Sequence, residues 1–302
     1  MTDNKYFDAI IIGGSYAGLS AAMALGRSLR TVLIIDSGLP CNRQTPHSHN
    51  FLTQDGEKPA AIAAKAKEQV LQYETVKFFK GEAIKGKIND KSFTVTTTEG
   101  EEFNAGKLVF ATGIKDILPD IKGFAESWGI SLIHCPYCHG YEFRGKKTGI
   151  MANGDKAFHL ASLVKNLTQE VTILTSGKSL FTPEQSEKLQ EHAISVVETE
   201  VEEVHHKNGF IEHFSFTNGS QLAFDAVYAA VPFQQHSDIP ASLGCELTEH
   251  GYIKVDHLQK TTIPGVYACG DNSMMLRSVA SAVAGGNLAG AMVNMELTHE
   301  SF

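Results

Sequence analysis

Two cysteines separated by two residues, Cys135 and Cys138 in Cys135-Pro136-Tyr137-Cys138, are the part of this chain best suited to covalent chemistry. Such a pair closes a small disulfide ring, and at a helix start one thiol becomes a nucleophile at neutral pH. The motif is ambiguous alone, since it serves redox exchange, half of a zinc site, or nothing. No second ligand pair has matching spacing, which argues against zinc. The residues that follow, His139-Gly140-Tyr141-Glu142, add two proton-moving groups. Imidazole titrates near neutral pH, so His139 is expected to take and return protons. A hydrogen bond between His139 and Glu142 would set the ring's tautomer. Cys-x-x-Cys-His also marks covalent haem attachment, but nothing else in the chain supports haem.

Phosphate chemistry is written in residues 7–18, FDAIIIGGSYAG. Residues 9–12 predict a short buried strand, Gly13, Gly14 and Gly18 a turn, and 19–27 a helix. Glycine permits unusual φ and lets backbone approach a pyrophosphate, while the helix N-terminus offers N–H donors. Ser15 stands where the middle glycine of Gly-x-Gly-x-x-Gly belongs, and it is small enough for close approach. A strand over 31–35 ends in Asp36, eighteen residues past Gly18, where a ribose-binding carboxylate is expected.

Other elements must position these groups. Residues 36–56 form a long polar loop of the kind that is often functional. Helical spacing covers 59–73. Strands are predicted over 77–80, 82–89 and 92–98, with a hairpin turn at Glu99-Gly100. Residues 107–111 form a buried strand closed by Thr112-Gly113. A linker over 114–119 leads to the cysteine pair and a second strand–turn–helix unit: strand 148–152, turn 153–155, helix 156–166, strand 171–174. Helix 182–192, strand 196–205, a hairpin of 211–217 and 221–224 around Asn218-Gly219, and strand 226–231 complete it. A second linker, 232–242, precedes a strand ending at Gly270-Asp271 and a long helix over 278–297.

A chain of 302 residues suggests two domains, and its composition is that of an ordinary globular protein. Net charge is −8 with no basic run, so no nucleic-acid partner is expected. No apolar run approaches a membrane span; residues 279–293, broken by Asn287, read as a packed helix. The polar stretch 1–8 lacks the pattern of a signal peptide. Five cysteines fit a reducing cytoplasm with one working pair. Cys41, Cys245 and Cys269 are expected to be small buried hydrophobes.

The order of glycine turn, Ala-Thr-Gly, Cys-x-x-Cys, second strand–turn–helix unit and Gly-Val-Tyr-Ala-Cys-Gly-Asp resembles the low-molecular-weight thioredoxin reductase family of flavoproteins, over nearly the whole chain. The resemblance implies an α/β fold of two Rossmann-like, three-layer nucleotide-binding domains, the second inserted into the first. An FAD domain would comprise 1–115 and 243–302, and an NAD(P)H-type domain carrying the cysteines 118–238. FAD would be held by Gly13, Gly14, Ser15, Gly18, Asp36, Thr112 and Gly113, with Asp271 reaching the flavin from a helix start. The cysteine pair would lie over the flavin, Cys135 as the outer exchanging thiol and Cys138 facing the flavin. A homodimer is implied. His47 and His49 are expected near the flavin or in solvent.

Three departures from the family pattern redirect the functional reading. Where the family's NADPH turn has three consecutive glycines, then Asp, any residue and Ala, this chain has Ala152, Asn153, Gly154, Asp155, Lys156 and Ala157. The 2′-phosphate clamp, an arginine-rich segment in the family, reads Thr175-Ser176-Gly177-Lys178, with no arginine fork. NADPH binding is therefore not expected. Finally, Cys138 is followed by histidine where the family has aspartate. Cys-x-x-Cys-His-Gly with its Tyr-Glu extension resembles the branch containing the gliotoxin and holomycin dithiol oxidases. That branch implies oxidation of a small-molecule dithiol, with electrons passing through FAD to dioxygen. The alternative is a reductase of thioredoxin or another disulfide fed by NAD(P)H or a different donor. A flavin-bearing redox sensor with little turnover is a third reading.

Overall fold

The computed structural model describes residues 6–302; residues 1–5, most of the polar N-terminal stretch, lie outside the described residues. The chain runs through β1 (Tyr6–Ile12), α1 (Tyr16–Arg27), β2 (Val32–Asp36), α2 (Pro59–Val70), β3 (Val76–Lys80), β4 (Ala83–Ile88), β5 (Phe93–Thr97), β6 (Glu102–Phe110) and β7 (Ile114–Asp116). Next come α3 (Phe124–Ser127), β8 (Leu132–Ile133), α4 (Pro136–His139), β9 (Thr148–Met151), α5 (Gly154–Lys165), β10 (Val171–Leu174), α6 (Pro183–Glu191) and β11 (Ser195–Val197). The remaining elements are β12 (Val201–Lys207), β13 (Phe210–Phe216), β14 (Gln221–Ala223), β15 (Ala226–Ala229), β16 (Phe233–Gln235), α7 (Ile239–Ser242), β17 (Val266–Ala268) and α8 (Val279–Ser301). Two compact units result. Unit one is Met1–Arg43, Asn50–Lys115 and Gln234–Phe302; unit two is Gln44–His49 and Asp116–Phe233. Both are α/β units built on parallel strands, which in unit one are extended by the antiparallel pairs β5–β6 and β4–β5, and the second interrupts the first in sequence.

Unit one is built on a seven-stranded sheet ordered β3-β2-β1-β6-β5-β4, with β17 also paired to β6. Side chains alternate between its two faces, as the two-residue period of a strand requires. Ala9, Ile11, Ile34 and Val109 join one buried cluster with α1 and α8; Ile10, Ile12, Leu33, Ile35, Leu108 and Phe110 join another. The near-continuous apolar run of β1 thus reflects burial on both faces. Helix α8 can approach α1 closely because it carries Gly286 and Gly290. A Cβ at either would collide with the carbonyl oxygens of Ala17 and Ala21. This packing braces α1, whose N-terminus follows the glycine turn.

Unit two has a parallel sheet ordered β11-β10-β9-β15-β8 and a separate antiparallel sheet, β12-β13-β14. The single strand expected over 196–205 is therefore two strands in two sheets. Val197 continues the parallel register beside Leu174, whereas Val201 pairs antiparallel with Phe216. Between them the Glu198 carbonyl accepts the Gly177 amide, turning the chain out of the sheet. The two expected linkers also contain structure: β7 and β16 pair with each other, and α7 follows.

Candidate functional site

In unit two, β8 delivers the chain to Cys135, which is the N-cap of the short helix α4. Pro136 at the first helical position has the φ a helix start needs and no amide left to satisfy. The Cys135 Sγ accepts the Cys138 amide at 3.2 Å. The cysteine spacing is thus also the spacing of a side-chain helix cap. Gly140 ends the turn where no side chain fits, because a Cβ there would strike the Pro136 carbonyl and the Leu167 side chain and come within 3.1 Å of the Tyr228 hydroxyl. Cys135 is buried and Cys138 half-buried. Tyr228 is close enough to feel the pair: burial, then Cys135, Glu142 and Cys138, push its pKa up.

His139 lies in a buried setting. Its ring nitrogens are both buried and neither has a hydrogen-bond partner. Burial, reinforced by the charge of His49, lowers its pKa to about 4. At neutral pH this favours an uncharged, buried imidazole whose two nitrogens are open to a partner. The expected His139–Glu142 hydrogen bond is absent. Glu142 instead faces His49, with Oε1 3.6 Å from Nδ1. His49 belongs to the segment Gln44–His49, which packs with unit two although its sequence neighbours belong to unit one. Its neighbour His47 lies with ring centroids 6.4 Å away. Reasoning from sequence missed both His49 and Tyr228 as members of this cluster; no spacing rule connects residue 49 with residue 142.

In unit one, Gly13 has φ of +104°, and a Cβ would collide with the Ala111 carbonyl. At Gly14 a Cβ would lie 2.9 Å from the Cβ of Asp36 and 2.9 Å from the Phe78 ring. Ser15 is the N-cap of α1 and makes no side-chain cap, so the first-turn amides have no side-chain acceptor. Gly18 lies inside α1, not in the turn before it, and its missing Cβ leaves room for the Gly13 carbonyl. Asp36 Oδ1 accepts the Gly14 amide at 2.9 Å and Oδ2 accepts the Gly38 amide at 3.2 Å. Each oxygen retains a lone pair for a hydroxyl donor. Thr112 Oγ1 accepts from Asn272 Nδ2 at 3.3 Å, and Gly113 has φ of +64°. Asn272 Oδ1 and Gln235 Oε1 are buried without partners, two acceptors that a bound group's N–H or O–H would satisfy. The uncapped helix start and these orphaned oxygens fit a dinucleotide with a hydrogen-bonding ring system.

Asp271 does not sit at a helix start. It lies in the turn after β17, seven residues before the α8 N-cap Ser278. Its Oδ2 is 3.7 Å from Arg277 Nε and 3.9 Å from Cys41 Sγ. Cys41 is exposed, contrary to expectation, whereas Cys245 and Cys269 are buried. Burial pushes the Cys269 thiol up to about 12, which makes it inert.

At the second strand–turn–helix unit the start of α5 is hydrogen-bonded to a loop of its own chain. Asn153 caps α5; its Oδ1 accepts the amides of Gly154 at 2.8 Å and Leu180 at 2.9 Å, and its Nδ2 donates to the Lys178 carbonyl at 3.0 Å. The α5 start that would receive a pyrophosphate is thereby tied to the loop where a 2′-phosphate clamp would stand. Glu198 also points into that loop, accepting the Ser179 amide at 2.8 Å. Hydrogen bonds from Ser179 hold its pKa below the usual carboxylate range, so it is an anion there.

Among the described residues no helix is long and apolar enough to cross a membrane, and no group of three or more His, Cys, Asp or Glu could hold a metal ion. Comparison with known proteins agrees with this geometry. The thioredoxin reductase tcpT of Claviceps purpurea is 32% identical over 310 residues, covering 98% of this chain and 96% of that protein. Thioredoxin reductase sirT of Leptosphaeria maculans is 32% identical over 317 residues, covering 96% and 94%. The crystal structure of HlmI superposes with a TM-score of 0.93 at 30% identity, covering 100% of this chain and 95% of its own. An oxidoreductase from Agrobacterium tumefaciens superposes with a TM-score of 0.91 at 35% identity, covering 97% and 99%. Residues 7–286 match the family described as pyridine nucleotide-disulphide oxidoreductase. With these relatives and this family match over most of its length, the chain is a thioredoxin reductase-like flavoprotein oxidoreductase and belongs to the pyridine nucleotide-disulphide oxidoreductase family.

Proposed function

We propose that this protein oxidises a small-molecule dithiol to a disulfide through Cys135 and Cys138, with FAD and dioxygen downstream. The observation that carries the choice of oxidase over NADPH-fed reductase is the Asn153 bridge. A nucleotide would have to displace three hydrogen bonds and bring its phosphates toward Glu198. Gly13, Gly14, Ser15, Gly18, Asp36, Thr112, Gly113 and Asp271 would hold FAD. When bound, FAD supplies a two-electron acceptor between the cysteine pair and dioxygen, which leaves as peroxide.

The cysteines perform the exchange. A substrate thiolate attacks one sulfur of the Cys135–Cys138 disulfide, breaking that bond and forming a mixed disulfide. The second substrate thiol displaces the cysteine, releasing cyclic disulfide and leaving two reduced cysteines. Cys138, whose backbone N–H donates a hydrogen bond to Cys135 Sγ, is the flavin-facing member on this reading, and Cys135 is the exchanging one. The same reading makes the protein a cytoplasmic homodimer.

A second reading, reduction of a thioredoxin-like protein or another disulfide by NAD(P)H, is favoured by the names of the relatives. Anaerobic addition of NADPH, NADH and dithiothreitol to the purified yellow protein separates the two. Bleaching of the flavin band by the dithiol alone, reversed by air, is the expected result. Rapid bleaching by NADPH would select the reductase.

A further inference from the structure

We propose that Tyr137 and Tyr141 form the recognition surface of the cysteine turn, and that they select a small dithiol carrying a flat, uncharged ring. The proposal rests on the dithiol-oxidase reading and names its class of substrate. Both tyrosines belong to the turn that holds the sulfurs. Tyr137 stands between the two cysteines and is bonded directly to Cys138; Tyr141 follows Cys138 by three residues. The chain keeps winding past α4, with the Gly140 N–H donating to the Pro136 carbonyl at 2.8 Å and the Arg144 N–H to the Tyr141 carbonyl at 3.3 Å. Residues 137 and 141 are four apart on this winding and so share a side of it. Other residues of the turn are packed inward. No Cβ fits at Gly140 beside Leu167 and Tyr228, and Phe143 packs on the buried cluster that contains Ile133 and Ile150.

Core packing does not account for the two rings. Tyr137 is 63% and Tyr141 66% exposed, so neither adds much buried area. Large rings left in water beside reactive groups mark a binding surface. One of them is also held in place. Arg144 Nη1 donates to the Tyr141 carbonyl at 2.7 Å, and the guanidinium carbon lies 4.0 Å from the centre of the Tyr141 ring. A ring fixed before binding loses less freedom when a ligand stacks on it. Arg144 is engaged with Tyr141 and Glu142 faces His49, which leaves ring faces and phenol hydroxyls as the groups offered to a substrate. Such faces suit a flat uncharged ring, packed offset or edge-on. Cys135 is buried and Cys138 half-buried, so the sulfurs are recessed where the rings project. A small dithiol can bring its sulfur in beside a ring; a thiol fixed on a protein surface must first clear both.

The test uses the oxidised, flavin-loaded protein, mixed anaerobically with dithiothreitol or with 1,2-benzenedimethanethiol, an alkyl dithiol built on a benzene ring. Reduction of Cys135–Cys138 is read by rapid alkylation and mass spectrometry, so it does not depend on flavin turnover. At equal low concentration the ring dithiol is expected to reduce the wild-type pair about 10-fold faster. Tyr137→Ala should remove that preference, losing about 10-fold with the ring dithiol and about 2-fold with dithiothreitol, and Tyr137→Phe should keep it. The bis-S-methyl form of the ring dithiol cannot exchange. It should slow wild-type reduction by dithiothreitol and leave the double variant Tyr137→Ala with Tyr141→Ala unaffected. Equal losses for the two dithiols, or no loss, would overturn the proposal. So would reduced thioredoxin outpacing the ring dithiol, which would give the surface to a protein. If no dithiol reduces the wild-type pair, the oxidase reading itself fails, and this proposal with it.

Discussion

The side-chain oxygen of Asn153 accepts the backbone amide of Leu180 at 2.9 Å, joining the start of α5 to the loop after β10. On the oxidase reading, this bridge is what a dinucleotide would have to displace. Asn153→Ala should cost about 1 kcal/mol of stability, the usual value of an N-cap, read as a lower urea midpoint for unit two. Replacing both obstacles, as Asn153→Gly with Glu198→Gln, should let NADPH bleach the flavin at a measurable rate. If the double variant stays as unresponsive as the wild type, something other than these two side chains bars the nucleotide.

Substitution of the cysteines should separate binding from chemistry. Cys138→Ser is expected to keep its flavin spectrum while losing at least 100-fold in dithiol oxidation. Cys135 is the more buried of the two, so the assignment of the exchanging sulfur is directly testable. The Cys138→Ser protein should trap a mixed disulfide with a thiol-activated probe on Cys135. Trapping only in Cys135→Ser would reverse the roles.

His139 should leave a signature in stability. Its folded pKa of about 4 lies below the ordinary value of 6.5. The unfolded chain therefore binds the extra proton first, and stability conferred by the neutral form is complete above pH 6.5 and lost as pH falls toward 4. The difference amounts to about 3 kcal/mol. Urea unfolding of wild type and His139→Gln at pH 7.5, 5.5 and 4.5 should show the wild type losing this excess pH dependence on substitution.

The contact between α8 and α1 sets a further expectation. Gly286→Ala places a methyl group against the Ala17 carbonyl and should destabilise unit one by about 1–3 kcal/mol. Because α1 begins at the glycine turn, the variant should also release FAD more readily, measured as flavin fluorescence in the filtrate after dilution. Unchanged retention with lowered stability would show that the helix start tolerates movement of α1.

Much of this was readable from local rules. The turn at Gly13 and Gly14, the acid at Asp36 and the second strand–turn–helix unit follow from periodicity and glycine placement, which depend on neighbours in sequence. The cysteine turn was legible too, because Pro136 and the cap geometry act within four residues. Side-chain meetings across long separations were not. His49 reaches Glu142 only because six residues of a loop, Gln44–His49, pack with the other unit, and that loop has no period to read. Asp271 was misplaced by a motif that marks the end of β17 but is silent on the seven residues before α8. The fate of Asn153 required knowing where Leu180 returns.

The interrupted order of the units has a consequence for how the chain is made. By the time Phe233 leaves the ribosome, unit two has every residue it needs, including the early segment Gln44–His49. Unit one at that moment still lacks β17 at one edge of β6 and the whole of α8, the brace for α1. The half that carries the cysteine turn is thus the first that can finish folding during synthesis, while the half that carries the glycine turn waits for its last helix. Truncations that remove α8 should then leave a folded cysteine turn attached to an incomplete, aggregation-prone partner.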